Sequence, residues 1–265
     1  STDRPARNRS HLWHPYTSRS DVEAGLPVMV RGEGVYLFGA DGRKYLDAVS
    51  SWWTSALGHG HPRLVQAIAR QAEQMDHSIL GGLNHPAATE LAARLAGRMP
   101  SPDRRILFAS DGASAVEAAL KIACQYQRLR GAPDRTGLAS LEGAYHGDTL
   151  GAMKVGFIEE FHAPYRPLIT PALALPFPPA DGNFAPARAV LESHAHTLAA
   201  VIVEPLCQCA AGMRLYPASW LRSLADWCHQ NDTLLIVDEI ATGFGRTGRW
   251  FAFEHADIDP DIVCL

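Results

Sequence analysis

Lysine is scarce in this 265-residue chain: Lys44, Lys121 and Lys154 stand against 21 arginines. Any chemistry that needs an amine nucleophile must choose among those three. The five cysteines (124, 207, 209, 228 and 264) are odd in number and scattered, which excludes a disulfide framework and leads us to expect a reducing, cytoplasmic setting. Basic runs are missing, and the net charge is −4, so nucleic acid is not an expected partner. Long apolar runs are missing too. Leu198 to Val203 is cut short by Glu204, and Ser1 to His11 lacks an apolar core, so neither a membrane span nor a secretory signal is expected. Cys207-Gln208-Cys209 has no second cysteine pair to complete a tetrahedral site, and His59-Gly60-His61 and His194-Ala195-His196 stand equally alone. No metal site is expected.

What is present is apolar material, 47% of the chain, enough for one large domain or two modest ones. Residues 27 to 49 alternate short β-branched and aromatic runs with Gly32-Glu33-Gly34 and Asp41-Gly42, the pattern of a small antiparallel meander. Leu64, Ile68, Ala72 and Met75 recur at helical spacing, as does the run from Ala87 to Arg98. Beyond Arg104 the periodicity predicts strand Ile106–Ala109, helix Ala113–Leu129, strands Gly137–Leu141 and Ala200–Val203, helix Ala218–Gln230, and strands Leu234–Val237 and Ile262–Leu265. Strands that are apolar throughout and separated by helices imply a mostly parallel sheet covered on both faces, an α/β fold. The proline-rich stretch from Phe157 to Pro186 is expected to be a long irregular connection. A buried-type strand at the C-terminus, without a following helix, leads us to expect that the chain is the first part of a longer one.

Asp238 ends the run Leu234-Leu235-Ile236-Val237, and ligands of open α/β sheets sit at the carboxyl ends of strands. It is either a strand cap or a partner for a cation. Ser110-Asp111-Gly112-Ala113-Ser114 leads from a predicted strand into a helix, and small residues at a helix start free backbone N–H groups for a phosphate, unless the segment is a plain N-cap. Tyr145, beside His146-Gly147, follows a further strand; alone it would be a core tyrosine. A phosphate cradle, an aromatic plate and a carboxylate together are what pyridoxal 5'-phosphate needs, with the carboxylate keeping the pyridine nitrogen protonated. Gly243 to Gly248 matches G-x-G-x-x-G, but it neither follows its strand directly nor opens a helical sequence, so the glycines are expected to shape a loop.

At these residues the chain resembles the class III aminotransferases of fold-type I, through Asp238 to Gly248, Tyr145-His146-Gly147-Asp148, Glu204-Pro205 and Ser110-Asp111-Gly112 leading to Ala115-Val116-Glu117. Leu12 to Ser18, Ser50-Ser51-Trp52-Trp53, Gly81 to Pro86 and Tyr145 to Met153 resemble the members that pass an amino group from S-adenosylmethionine to 8-amino-7-oxononanoate in biotin biosynthesis. Relatives use S-adenosylmethionine or lysine as donor. Alternatives are another ω-amino acid aminotransferase of the class, or a catalytically inactive fragment that binds cofactor or dimerises. The resemblance implies that Gly112 and Ala113 hold the phosphate, Tyr145 covers the ring, and Asp238 meets the ring nitrogen and is catalytic. It places Trp52, Tyr16 and Tyr145 along the substrate, with Tyr16 also catalytic; otherwise Trp52 is a core aromatic and Tyr16 a surface one. It further implies a homodimer, a small N-terminal α+β segment at residues 1–60, and a large cofactor-binding domain at 61–265.

Several residues depart from the resembling pattern. Ala113 stands where a serine is usual, the order Ser110-Asp111 is inverted, and Cys209-Ala210-Ala211 replaces a glycine-rich run. Ala241 and Cys209-Ala210 stand where members acting on α-ketoglutarate carry Gln and Glu. The Schiff-base lysine of the family follows the segment matching Pro260 to Leu265 by a couple of residues, and none of the three lysines here matches it. The expectation is a chain that stops just before that lysine.

Overall fold

The computed structural model describes residues 11–101 and 103–265; residues 1–10, the start of the expected N-terminal segment, and Pro102 lie outside the described residues. The contacts divide the chain into two compact units, at residues 1–85 and 86–265.

The first unit opens with helix α1, Arg19–Ala24, whose first turn is capped by Ser18 Oγ accepting from the Asp21 N–H at 3.1 Å. The expected meander follows as antiparallel strands β1 (Met29–Glu33), β2 (Tyr36–Gly39) and β3 (Lys44–Leu46). Gly34 turns β1 into β2 with a φ of 56°, where a side chain would be strained. Its backbone also exchanges two hydrogen bonds with His59, at 3.0 and 2.7 Å. Between meander and helix α2 (Pro62–Gln74) lies a short turn, Ser50–Trp53. Pro62 opens α2, where a missing N–H costs nothing.

The second unit begins with α3 (Pro86–Ala96) and continues with α4 (Gly112–Leu129), β4 (Gly137–Leu141), α5 (Leu150–Val155), β5 (Leu173–Leu175), α6 (Ala185–Glu192) and β6 (Leu198–Val203). A hairpin of β7 (Cys207–Gln208) and β8 (Arg214–Leu215), helix α7 (Ala218–Gln230), β9 (Leu234–Asp238) and β10 (Ile262–Cys264) complete it. The five main strands form one parallel sheet in the order β10-β9-β6-β4-β5. Every residue of β6 is buried, and alternate residues serve opposite faces. Val201, Val203, Leu235 and Val237 pack with Leu221, Leu224 and Trp220 of α7, whereas Ala200, Ile202 and Ile236 pack with Val116, Leu120 and Ala123 of α4. This two-sided burial is why the strands read as continuous apolar runs. From β4 the chain steps outward to β5, then returns to the other side of β4 as β6. The reversal makes the ends of β4 and β6 the place where such sheets bind ligands.

Two expectations fail. Ile106–Ala109 forms no strand and pairs with no strand among the described residues, with Leu107 67% and Phe108 41% exposed. Its start is fixed by the Arg104 guanidinium, which donates to the carbonyls of Pro260 and Asp261 and to Asp259, but no described residue offers it a ladder, and a strand exists only through its partner. The 157–186 connection, expected to be irregular, carries a helical turn at Glu159–His162, the edge strand β5 and the start of α6. Three residues suffice for β5 because they lie parallel to Ala139–Leu141 of β4.

Candidate functional site

Helix α4 starts beneath the sheet's C-terminal edge because Asp111 caps it: the N–H and Oγ of Ser114 donate to its carboxylate at 2.8 and 2.9 Å, and Ala115 N–H donates to its carbonyl at 3.0 Å. The two Ser114 bonds, with a lesser one from Ala113 N–H, pull the Asp111 carboxyl below its ordinary range. A helix start has four N–H groups without intrahelical partners. Ala115 N–H makes the first intrahelical bond, Ser114 N–H is engaged by the cap, and Ala113 N–H leans on the same Asp111 carboxyl, which leaves the Gly112 N–H beside it.

Two segments close on that helix start, and glycines record how tightly. A Cβ on Gly112 would lie 2.7 Å from the Ile240 side chain, so α4 begins against the turn that follows Asp238. A Cβ on Gly147 would lie 2.5 Å from Cβ of Ala113, so the Tyr145 turn presses on the same first turn. His146 bridges the remaining side, with Nδ1 2.7 Å from Asp238 Oδ2. The structure therefore brings together Gly112, Ala113, Tyr145 and Asp238, four of the residues singled out in the sequence.

The carboxylates here are shielded from water. Asp238 is 5% exposed and accepts from Ile240 N–H at 3.2 Å through Oδ1. Glu204, at the end of β6, accepts from the N–H groups of Tyr145 and Cys209, each at 3.1 Å. Burial raises its carboxyl to about 7, against the pull of His146 and the two N–H donors; Asp238 raises it further. Glu239 is buried as well, its oxygens engaged by Thr242 Oγ1 at 2.7 Å and Phe253 N–H at 2.8 Å, which pins the Gly243–Gly248 segment as turns that open no helix.

Tyr145 is half-buried, and its hydroxyl donates to Asp148 Oδ2 at 3.0 Å. The ring stacks on His162, with centroids 6.1 Å apart. His162 Nδ1 accepts from Ile158 N–H at 3.1 Å, so Nε2 carries the proton and donates to Asp148 Oδ1 at 3.1 Å. Tyr145 is thus held from its ring face and from its hydroxyl.

Trp52 and Tyr16 stand in the first unit, their ring centroids 5.4 Å apart and tilted by 57°. They are 62% and 60% exposed, so neither is a core residue. Trp52 sits in a turn whose four residues, Ser50 to Trp53, all have positive φ, a conformation costing about 1–2 kcal/mol per residue. Of the three lysines, Lys44 lies 3.5 Å over the Tyr36 ring, Lys121 is exposed on α4, and Lys154 is half-buried near the end of α5.

Sequence reasoning did not single out His146, Glu204 or His162 as site residues. Glu204 had a readable mark, since it follows the buried strand Leu198–Val203 as Asp238 ends Leu234–Val237. His162 had none, because it comes from an irregular segment.

Against known proteins, the aminotransferase class-III profile matches residues 17–265. The adenosylmethionine-8-amino-7-oxononanoate aminotransferase of Synechococcus elongatus is 44% identical over 264 residues, covering 96% of this chain and 62% of that protein. The protein of the same name from Nitratidesulfovibrio vulgaris is 40% identical over 285 residues, covering 100% and 53%. The crystal structure of the Methanocaldococcus jannaschii protein of that name superimposes with a TM-score of 0.94 at 37% identity, covering 99% of this chain and 61% of that one. An (S)-enantioselective omega-transaminase from Thermomicrobium roseum superimposes with a TM-score of 0.91 at 33% identity, covering 99% and 62%. The chain thus spans between about half and three fifths of these proteins' length.

Proposed function

The chain belongs to the class-III aminotransferase family, and from that premise we propose that it is the part of a pyridoxal-phosphate-dependent aminotransferase that holds the cofactor's phosphate and ring. The observation that carries the reading is the convergence of the Gly112 helix start, the Tyr145 turn and Asp238, within side-chain contact of one another. The residues present fit the group. The Gly112 N–H, with the Ala113 N–H beside it, suits a phosphate. Each Asp238 oxygen has one protein donor at hydrogen-bonding distance and retains lone-pair capacity for a ring N–H. When bound, the cofactor supplies an electron sink that stabilises a carbanion.

In this reading Asp238 keeps the ring nitrogen protonated from a water-poor site, where its charge is little screened. Tyr145 covers the ring, restrained by His162 and Asp148. Ala113 offers its N–H but no hydroxyl. Trp52 and Tyr16 line the substrate path, with Tyr16 also catalytic, on a segment belonging to the small domain over residues 1–60; residues 61–265 belong to the cofactor-binding domain. The substrates proposed are 8-amino-7-oxononanoate as acceptor and S-adenosylmethionine as donor, supported by the names of relatives 36–44% identical to this chain. A homodimer working in the cytoplasm completes the reading. No helix among the described residues is long and apolar enough to cross a membrane.

The omega-transaminase likeness favours a second reading, an aminotransferase of simple ω-amines. Assaying the full-length protein with 8-amino-7-oxononanoate, offering S-adenosylmethionine or lysine, against simple ω-amines separates the two. Asp238→Asn should leave folded protein and lower transamination by orders of magnitude, because the ring nitrogen loses its counter-charge. Wild-type turnover in that variant removes Asp238 from the proposed role.

A further inference from the structure

Three ionisable side chains share one dry site where β4, β6 and β9 end: His146, Glu204 and Asp238, with relative exposures of 2%, 6% and 5%. The imidazole is oriented by its Nδ1 contact to Asp238 Oδ2 at 2.7 Å, and its Nε2 is buried with no hydrogen-bond partner. Leaving a buried nitrogen unmatched is costly, a cost that an apolar side chain of similar volume would avoid. What the imidazole alone contributes is a donor aimed at the carboxylate. The only other protein donor hydrogen-bonded to Asp238 among the described residues is Ile240 N–H, at a longer 3.2 Å on Oδ1. Without His146, Oδ2 has no donor, and the Asp238 side chain is held by the Ile240 N–H alone. A charge-assisted contact of this kind is about twice as strong as a neutral one.

Resting on the cofactor reading above, we propose that His146 is a positioning residue: through Nδ1–H it fixes the Asp238 carboxyl group where it can receive a ring N–H, and so sets how firmly that ring nitrogen holds its proton. Glu204 faces the same imidazole, but its oxygens are already engaged by Tyr145 and Cys209 N–H groups. The donor to Asp238 is therefore His146 and not Glu204.

The test uses the purified protein carrying 15N-labelled histidine, with pyridoxamine 5'-phosphate labelled at its ring nitrogen as probe, since that compound needs no lysine to bind. Wild type should show a strongly downfield imidazole N–H that is absent in His146→Leu and displaced in Asp238→Asn, and that moves when the probe is added. In His146→Leu the bound probe's ring nitrogen should lose its proton about one pH unit earlier than in wild type, a tenfold change in that equilibrium. His146→Asn, whose amide nitrogen can stand near where Nδ1 stood, should restore part of the difference. Identical ring-nitrogen titrations in wild type and His146→Leu overturn the positioning role and leave the cofactor reading standing. Failure of wild type to bind the probe overturns both. Should His146→Leu not fold, the wild-type resonance still decides, because an imidazole N–H unmoved by the bound probe overturns the inference.

Discussion

Asp47 grips Ser51 twice, accepting from its N–H at 3.0 Å and from its hydroxyl at 2.8 Å. That double contact spans the left-handed turn that carries Trp52. His59 Nε2 braces the same carboxylate at 2.8 Å. The two Ser51 donors, then His59, lower the Asp47 carboxyl to about 2. A carboxyl lowered on folding contributes stability that is present above its unfolded value and lost as pH falls through the folded one. Asp47→Ala should therefore change the near-ultraviolet circular dichroism of the tryptophans at neutral pH, and the wild-type signal should approach that of the variant as pH falls from about 4 to about 2. A tryptophan signal unchanged by the substitution removes the clamp.

Glu204 has the opposite sign. Its folded value is raised to about 7 from 4.5, chiefly by burial, so its contribution is present below the unfolded value and declines as pH rises through the folded one. Glu204→Gln should flatten the dependence of unfolding free energy on pH between about 4.5 and about 7. Urea melts at a series of pH values read this directly; parallel profiles in wild type and variant contradict the assignment.

Trp52 has 62% of its surface open in this chain, and Tyr16 is its ring neighbour. Trp52→Ala should raise KM for 8-amino-7-oxononanoate far more than it weakens binding of pyridoxamine 5'-phosphate. Should affinity for the probe and thermal stability fall together, Trp52 serves the fold instead of the substrate.

On the proposed reading, none of the three lysines serves as the cofactor's amine: Lys44 rests on Tyr36, Lys121 is exposed on α4, and Lys154 stands one residue before the end of α5. Borohydride reduction of cofactor-treated protein followed by peptide mapping should leave Lys44, Lys121 and Lys154 without a stoichiometric pyridoxyl group. A full adduct on any of them, with activity, reassigns the nucleophile.

Much of the parallel sheet was legible in the chain because its strands are buried on both faces, so Leu198–Val203 and Leu234–Val237 had to be apolar at every position whatever their neighbours were. Asp238 stood out for the same reason, as a charge ending an apolar run. Pairing was not legible. Ile106–Ala109 has the composition of a strand and lacks a ladder, while Leu173–Leu175 sits in a proline-rich stretch and has one; hydrogen-bond partners come from distant sequence, and composition does not name them.

The sequence by itself determined which residues could hold a phosphate, cover a ring or carry a charge, because glycine, tyrosine and aspartate bring those properties wherever they stand. Only the tertiary structure decided that Gly112 meets Ile240, that Gly147 meets Ala113 and that His146 turns to Asp238. Those contacts join residues up to 128 positions apart, and they exist because crossovers of a parallel sheet carry successive strand ends to one edge, where burial then shifts Glu204 by withdrawing it from water.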